Sequence, residues 1–393
     1  MLSNLGENMT KFRWGLVGGG RGSQIGPAHR LGATVDGNFE FVAGALDANA
    51  DEGRKFSLEL GLNKNRAYGD WKEMLTHEIN QTDKLDLVTV ATPNSTHFEI
   101  SKAFLEAGFN ILCEKPMTMN IEEGEALLSI AKKANKICAV NYGYSGFSLV
   151  REMKNMISRG VIGKIRLIKA EFAHGHHADE ADADNPRVRW RYDPAQAGVS
   201  AVMADCGIHA LHMACFVSGE EVLEVSADFV STISSRKLED DAMVNFRMTG
   251  GIVGRLWSSA IALGRQHGLT IQVFGESGGL RWAQEQPNQL FFTELGGRTQ
   301  IIERGDIRLS LMAQGASRVT IGHSEGMPLA FANIYVDIAK ALSSGFHDTG
   351  TTLKPIYPNA EDGLRSIAAV HAAQASSLEM GKWMPAVPLS LKD

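Results

Sequence analysis

Apolar residues in the first third of the chain fall in short, nearly unbroken runs. Phe12 to Val17, Phe39 to Leu46, Leu85 to Ala91, Ile111 to Cys113 and Ile137 to Asn141 are each followed by turn or polar residues. Runs of this kind predict strands buried on both faces. Helical segments separate the later ones. One runs to Ala107 and stops at Gly108, and another spans Glu122 to Asn135. Strands alternating with such helices predict an α/β fold built on a doubly wound parallel sheet. In that arrangement ligands lie at the carboxyl ends of the strands. Gly26 to Asn38 reads as a loop or a prolonged helix exit.

After Tyr142-Gly143-Tyr144 the pattern changes. A helix over Leu149 to Ser158 precedes an alternating run from Ile165 to Ala173, which predicts a half-buried strand. The polar segment His174 to Val199 is too long for a passive connector and so predicts a functional role. Val202 to Val217 reads as a helix. Strand-like runs then follow one another: Val222 to Ile233, Asp241 to Met248, Ile252 to Ala262, Leu269 to Gly275 and Leu280 to Ala283. Turns such as Gly250-Gly251 and Ser277-Gly278-Gly279 join them, so the sheet should be large, open and mostly antiparallel. Helices over Leu329 to Ser343 and Ala360 to Met380 close the chain. Two domains are expected, over residues 11–142 and 143–393.

Composition narrows the functional classes. The chain has 393 residues, 44% hydrophobic and 21% charged, with a net charge of -6. There is no basic excess to hold nucleic acid. No apolar run approaches the roughly 20 residues of a membrane span. Met1 to Thr10 is polar, lacks the apolar core of a signal peptide and reads as a frayed extension. Four scattered cysteines, Cys113, Cys138, Cys206 and Cys215, suit reduced thiols and a cytoplasmic location.

Candidate chemistry clusters at the expected sheet edge. Gly18-Gly19-Gly20-Arg21-Gly22-Ser23 follows the first strand at once. Glycines allow a tight turn and let the backbone approach a pyrophosphate at a helix N-terminus. Gly18 and Gly20 fill the first two positions of a dinucleotide fingerprint, and Ser23 stands at the third in place of glycine. Asp47 ends the second strand, where an acid can accept both ribose hydroxyls and repel a 2′-phosphate. It could equally cap the helix that begins near Asn49. Thr92, Pro93 and Asn94 end the third strand, with His97 just beyond. In Glu114-Lys115-Pro116 the proline forces Lys115 into extended or turn geometry, which directs a lysine into the crevice.

The second domain offers Asp205 and His209, four apart in a predicted helix and so on one face. A carboxylate beside an imidazole suits a general base. His212 lies near the same stripe, but the set has no strong zinc spacing and no metal is expected. His174, His176 and His177 could line a polar-substrate pocket or sit on a solvated loop.

With these motifs in this order the chain resembles the Gfo/Idh/MocA oxidoreductase family, from Lys11 nearly to its end. Glu114-Lys115-Pro116 and Trp190-Arg191-Tyr192-Asp193-Pro194 are characteristic, the latter ahead of the Asp-x-x-x-His helix. The resemblance implies an N-terminal Rossmann domain and a C-terminal α/β domain. The open sheet of the latter would make contacts in a homodimer or homotetramer, and the last helix, about 360–380, would pack back on the Rossmann domain. It implies NAD or NADP, between which Asp47 favours NAD, with oxidation of a ring hydroxyl in a sugar or cyclitol. His209 would be the base, with Lys115 and Asp205 assisting. Gly18, Gly20, Arg21, Gly22, Ser23, Asp47, Thr92, Pro93, Asn94, His97, Glu114, Lys115, Trp190 and Arg191 would hold the cofactor. Lys115, Tyr144, His174, His176, Asp205, His209 and His323 would face the substrate. The Lys115-Pro116 peptide would be cis. Some such proteins are NAD-dependent glycosidases, and some are regulators that bind dinucleotide without catalysis.

Overall fold

The computed structural model describes residues 11–181, 185–345 and 356–391. The polar extension before Lys11 lies outside them. Five parallel strands form the first sheet: β1 (Phe12–Gly18), β2 (Phe39–Ala45), β3 (Leu87–Ala91), β4 (Asn110–Cys113) and β5 (Cys138–Val140), in the order β2-β1-β3-β4-β5. Helices α1 (Gly26–Thr34), α2 (Ala50–Glu59), α3 (Trp71–Glu78), α4 (His97–Glu106) and α5 (Ile121–Ala134) connect them. The stretch Gly26 to Asn38, expected as a loop or a prolonged helix exit, is therefore mostly the helix α1 itself. Pro27 in its first turn suits a helix start.

β1 shows how both faces are covered. Trp14 and Leu16 pack with Ala33 of α1 and with Tyr335 and Ile338 from far along the chain. Val17 faces the opposite core, with Met74 and Phe104. Alternate side chains on a strand point to opposite faces, so a strand buried on both reads as an unbroken apolar run.

Helix α6 (Ser148–Ser158) leads into the second sheet through β6 (Ile165–Ala173). Short helices α7 (Pro186–Arg189) and α8 (Pro194–Ala197) lie in the polar segment, and α9 (Ile208–Ser218) follows. The remaining strands are β7 (Val222–Val230), β8 (Asp241–Met248), β9 (Val253–Ser259), β10 (Leu269–Gly275), β11 (Gly278–Ala283), β12 (Gln289–Glu294), β13 (Thr299–Glu303) and β14 (Met384–Pro385). This sheet has nine strands in the order β13-β12-β11-β10-β6-β9-β8-β7-β14. The β6–β9 pair is parallel, and the other neighbours are antiparallel. Gly250 and Gly251, at φ of +68° and +77°, turn the chain between β8 and β9.

Among the described residues three further α-helices follow: α10 (Leu311–Gln314), α11 (Met327–Ser344) and α12 (Ala360–Leu378). α11 covers the α1 face of the first sheet through Ile334, Tyr335 and Ile338. α12 lies on the opposite face, near the β5 edge. There His371 bonds the Met119 carbonyl, and an ideal Cβ on Gly363 would stand 2.9 Å from Met117 Sδ. A capping box at Asn359 and Asp362 fixes its start. None of the four cysteines is in a disulfide, and three are buried. Among the described residues no helix is long and apolar enough to cross a membrane.

Candidate active site

The turn after β1 is shaped by backbone contact. Gly18 has φ +80°, and a Cβ there would lie 2.4 Å from the Ala91 carbonyl oxygen. A Cβ on Gly20 would lie 2.2 Å from the Leu46 oxygen. These contacts draw the carboxyl ends of β1, β2 and β3 together. The third close approach belongs to Gly26, not to the position of Ser23. A Cβ on Gly26 would stand 2.0 Å from the Gly19 oxygen. Ser23 instead accepts the Gly26 N–H through Oγ, at 3.0 Å. The turn before α1 is thus longer than the fingerprint predicts. Arg21 lies over the Phe56 ring at 4.8 Å and pairs with Glu59.

Asp47 follows β2. One oxygen accepts the Asn49 N–H at 2.9 Å, and the other stands 3.4 Å from an ideal Cβ on Gly20. Asn49 is the residue that caps α2. The acid therefore borders the glycine turn, as a ribose acceptor must.

Thr92 accepts a hydrogen bond from the Thr96 hydroxyl at 2.8 Å, and Pro93 and Asn94 continue the same edge. His97 is fully buried, with Nε2 bonded to the Thr92 carbonyl at 2.8 Å and Nδ1 to the Pro116 carbonyl at 2.7 Å. Two carbonyl acceptors require a proton on both nitrogens. Burial opposes that charge, but Cys113 and these carbonyls outweigh it and push the pKa up to about 9. His97 thus clamps two turns of the crevice rather than lining it. The Lys115–Pro116 peptide is cis.

Lys115 crosses to the second half of the chain. Its Nζ donates to Asp205 Oδ1 and to the Asp205 carbonyl, both at 2.6 Å. Arg191 Nε donates to Asp205 Oδ2 at 3.1 Å, and its guanidinium stacks 4.5 Å from the Trp190 ring. Burial alone would raise the Asp205 pKa, yet Lys115 and Arg191 hold it well below the usual carboxylate range. Two of the residues expected around the cofactor, Trp190 and Arg191, therefore join the Lys115–Asp205 cluster.

The expected pairing of Asp205 with His209 is not formed. Asp205 lies in a π turn, Met203–Gly207, ahead of α9. Bonding of the i→i+5 type offsets residues four apart, and Asp205 turns to the two cations. His209 Nδ1 has no hydrogen-bond partner among the described residues. Its ring meets Tyr144 edge-on at 4.7 Å and Tyr142 at 5.9 Å. Burial first, and then the Lys115 charge, keep its pKa well below the ordinary imidazole value. His212 faces away and stacks on Tyr142 at 4.0 Å.

His174 joins this cluster. Its Nδ1 accepts the His176 N–H at 3.2 Å, and its Nε2 stands 3.4 Å from Cys206 Sγ. Burial, then His177 and His176, push its pKa down to about 4. His176 lies 4.8 Å from His174, ring to ring. A small cavity is bounded by His174, His177, Arg191, Tyr192, Asp205 and Cys206. Sequence reasoning passed over Cys206 and Tyr192, although both sit inside motifs it quoted. His323 does not join. It is exposed, its ring pairs with Thr320 and its carbonyl takes Arg304. Among the described residues no group of three or more His, Cys, Asp or Glu is arranged to hold a metal ion.

A lysine from one half of the chain bound to an acid from the other, above a glycine-rich strand end, invites comparison with known proteins. The profile of an oxidoreductase family with an NAD-binding Rossmann fold matches residues 12–142. That of the GFO/IDH/MocA C-terminal domain matches residues 150–281. The chain belongs to the GFO/IDH/MocA family.

An uncharacterised oxidoreductase of Bacillus subtilis, YfiI, is 35% identical over 378 residues, 95% of this chain and 96% of its own. Levoglucosan dehydrogenase of Pseudarthrobacter phenanthrenivorans is 28% identical over 315 residues, 72% of this chain and 76% of its own. An inositol dehydrogenase homologue of Azotobacter vinelandii, solved with NAD+, is 37% identical and superposes with a TM-score of 0.91. That match covers 96% of this chain and 98% of that one. The same homologue was also solved with NADH and myo-inositol. This GFO/IDH/MocA chain is an oxidoreductase, and its cofactor is NAD. Its residues fit that cofactor: the Gly18–Gly20 turn leaves no room for a Cβ, and Asp47 stands beside it.

Proposed function

We propose that the protein oxidises a secondary ring hydroxyl of a sugar, sugar derivative or cyclitol. The observation that carries this is the Lys115–Asp205 bridge, with His209 at the start of the following helix. NAD, when bound, accepts the hydride. The remaining work falls to the chain itself. A lysine ammonium has three protons, and Asp205 takes two of them. The third is left for the substrate oxygen, where positive charge favours a developing alkoxide. His209 is kept neutral by burial and by Lys115, which leaves it able to take the hydroxyl proton. Arg191 holds Asp205 from its other side, so the carboxylate orients the lysine. Tyr144, which meets His209 edge-on, and His174 with its neighbour His176 are assigned to the polyhydroxylated ring.

We further propose that copies associate as a homodimer or homotetramer through the second sheet, where Met243, Phe274 and Ile301 are exposed, and that the enzyme works in the cytoplasm. Light scattering on the purified protein tests the association, and a monomer at micromolar concentration would refute it. An NADH-coupled screen against monosaccharides, anhydrosugars and inositols tests the activity. Turnover on at least one ring polyol is expected. Release of a free sugar without net NADH would instead indicate a glycosidase, and no reaction with any of them would end the dehydrogenase reading.

A further inference from the structure

The mechanism leaves unused a line of buried polar side chains beneath Lys115. Trp14 Nε1 donates to Thr89 Oγ1 at 2.9 Å. Thr89 Oγ1 meets the Tyr335 hydroxyl at 2.9 Å, and that hydroxyl meets His29 Nδ1 at 2.9 Å. His29 Nε2 meets Glu114 Oε1, again at 2.9 Å. Glu114 Oε1 also accepts from Asn141, and its Oε2 accepts the Lys115 backbone N–H at 3.2 Å. Trp14, Thr89 and His29 are fully buried, Tyr335 is 1% exposed, and no part of the line needs water. It joins β1, β3, α11, α1 and β4.

Its direction is fixed at both ends. An indole N–H only donates, so the Thr89 oxygen is an acceptor there. The Thr89 hydroxyl proton then has one polar neighbour left, Tyr335, and the Tyr335 proton goes on to His29 Nδ1. At the far end an ionised carboxylate only accepts. Burial would raise the Glu114 pKa, but the hydrogen bonds from His29 and Asn141 and the nearby Lys115 charge bring it below its ordinary value, so the carboxylate is charged. His29 therefore carries its proton on Nε2. The opposite direction would leave the Thr89 hydroxyl without an acceptor in a dry interior, which is costly.

We infer that Trp14, Thr89, Tyr335 and His29 form a one-way hydrogen-bonded chain that fixes the His29 tautomer and thereby holds Glu114 so that it positions Lys115. His29 and Tyr335 are positioning residues, since neither touches the reacting atoms. Tyr335 comes from α11, so the second half of the chain sets the lysine from behind as well as from in front through Asp205. This rests on the role proposed above for Lys115.

The test uses the full-length protein and two readouts. The first needs no substrate. In protein labelled with 15N-histidine, the spectrum that disappears in His29→Gln must show a proton on Nε2 and a bare Nδ1, and it must shift in Tyr335→Phe. The second is turnover with NAD and myo-inositol as the probe. Tyr335→Phe and His29→Leu should lower kcat about ten- to a hundredfold, the scale of small misplacements of a reacting group. NADH affinity and the KM for myo-inositol should stay within about twofold. His29→Gln can still donate to Glu114 and accept from Tyr335, so it should recover part of the loss that His29→Leu shows. A proton on Nδ1 in the wild type, or wild-type kcat in Tyr335→Phe, overturns the inference. If the two His29 variants lose turnover equally, together with thermal stability, the role is structural and the inference also fails. Absence of wild-type turnover on myo-inositol would count against that cyclitol, while the histidine spectrum still decides this proposal.

Discussion

In the proposed mechanism Lys115 acts on a substrate oxygen from the position that Asp205 gives it, and His209 takes a proton only while neutral. The first depends on two hydrogen bonds to Asp205, the second on burial and then on the Lys115 charge. His209→Ala and Lys115→Ala should each lower kcat by roughly a hundred- to ten-thousandfold, the usual worth of positioned proton transfer, with unchanged circular dichroism. Wild-type turnover in either variant on the substrate found by the screen would remove that residue from the mechanism. The pH profile gives a separate check. An imidazole with a lowered pKa stays neutral, and so competent as a base, further into acid. kcat/KM should therefore stay level as pH falls through 6.5, the ordinary value, and decline only well below it. A decline centred near 6.5 would mean that burial and Lys115 do not control the base. At this scale the sequence was informative where a residue's chemistry is local. Pro116 constrains Lys115 through its own ring. It was uninformative where a partner decides. Asp205 and His209 have the spacing of a helical pair, yet Asp205 belongs to two cations brought in by distant segments, and only the fold can show that.

At the scale of elements, the first βα unit shows what a fingerprint can and cannot convey. The run Gly18 to Ser23 located the turn correctly, but the third glycine role falls to Gly26, because the turn continues past Ser23 and α1 starts late. The late start also helps to place Asp47 29 residues after Gly18, where about 20 is usual. Apolar periodicity could not reveal α1, since Gly26–Thr34 contains few large apolar residues and is stabilised by packing on α11. Gly26 should then govern how closely α1 meets β1. Gly26→Ala places a Cβ 2.0 Å from the Gly19 oxygen, where backbone must move. Overpacking of this kind costs about 1–3 kcal/mol, and the shift displaces the glycine turn itself. NADH affinity, followed by fluorescence titration, should weaken at least about tenfold, the equivalent of about 1.4 kcal/mol. Gly37→Ala serves as the control, because Gly37 meets nothing within 4 Å. Any strain from its φ of +72° should appear in stability and leave NADH affinity unchanged. Equal loss of NADH affinity in both variants would refute the argument.

For the whole molecule, the chain order does not follow the layers. The run of strands and helices predicted a nucleotide-binding part followed by a substrate part, and both sheets form from those stretches. The faces of the first sheet are finished by helices from the far end of the chain, α11 on one side and α12 on the other. Contacts between such distant segments leave no periodic trace beyond an amphipathic helix. α11 is held to α6 by a buried ion pair. Arg151 Nη2 on α6 meets Asp337 Oδ2 on α11 at 2.5 Å, with side chains 4% and 2% exposed. Removing one member of such a pair leaves a charge without a partner in the interior and costs about 3–5 kcal/mol, whereas replacing both with apolar residues can be neutral. Arg151→Met should therefore lower the urea midpoint strongly, and Arg151→Met with Asp337→Leu should restore much of it. Because α11 packs directly on α1, the helix that follows the glycine turn, Arg151→Met should loosen NADH binding in the folded protein, although Arg151 is outside the site. A single variant as stable as the wild type would show that the pair does not hold α11. A destabilised variant with unchanged NADH affinity would show that α11 is anchored to the first sheet independently of it.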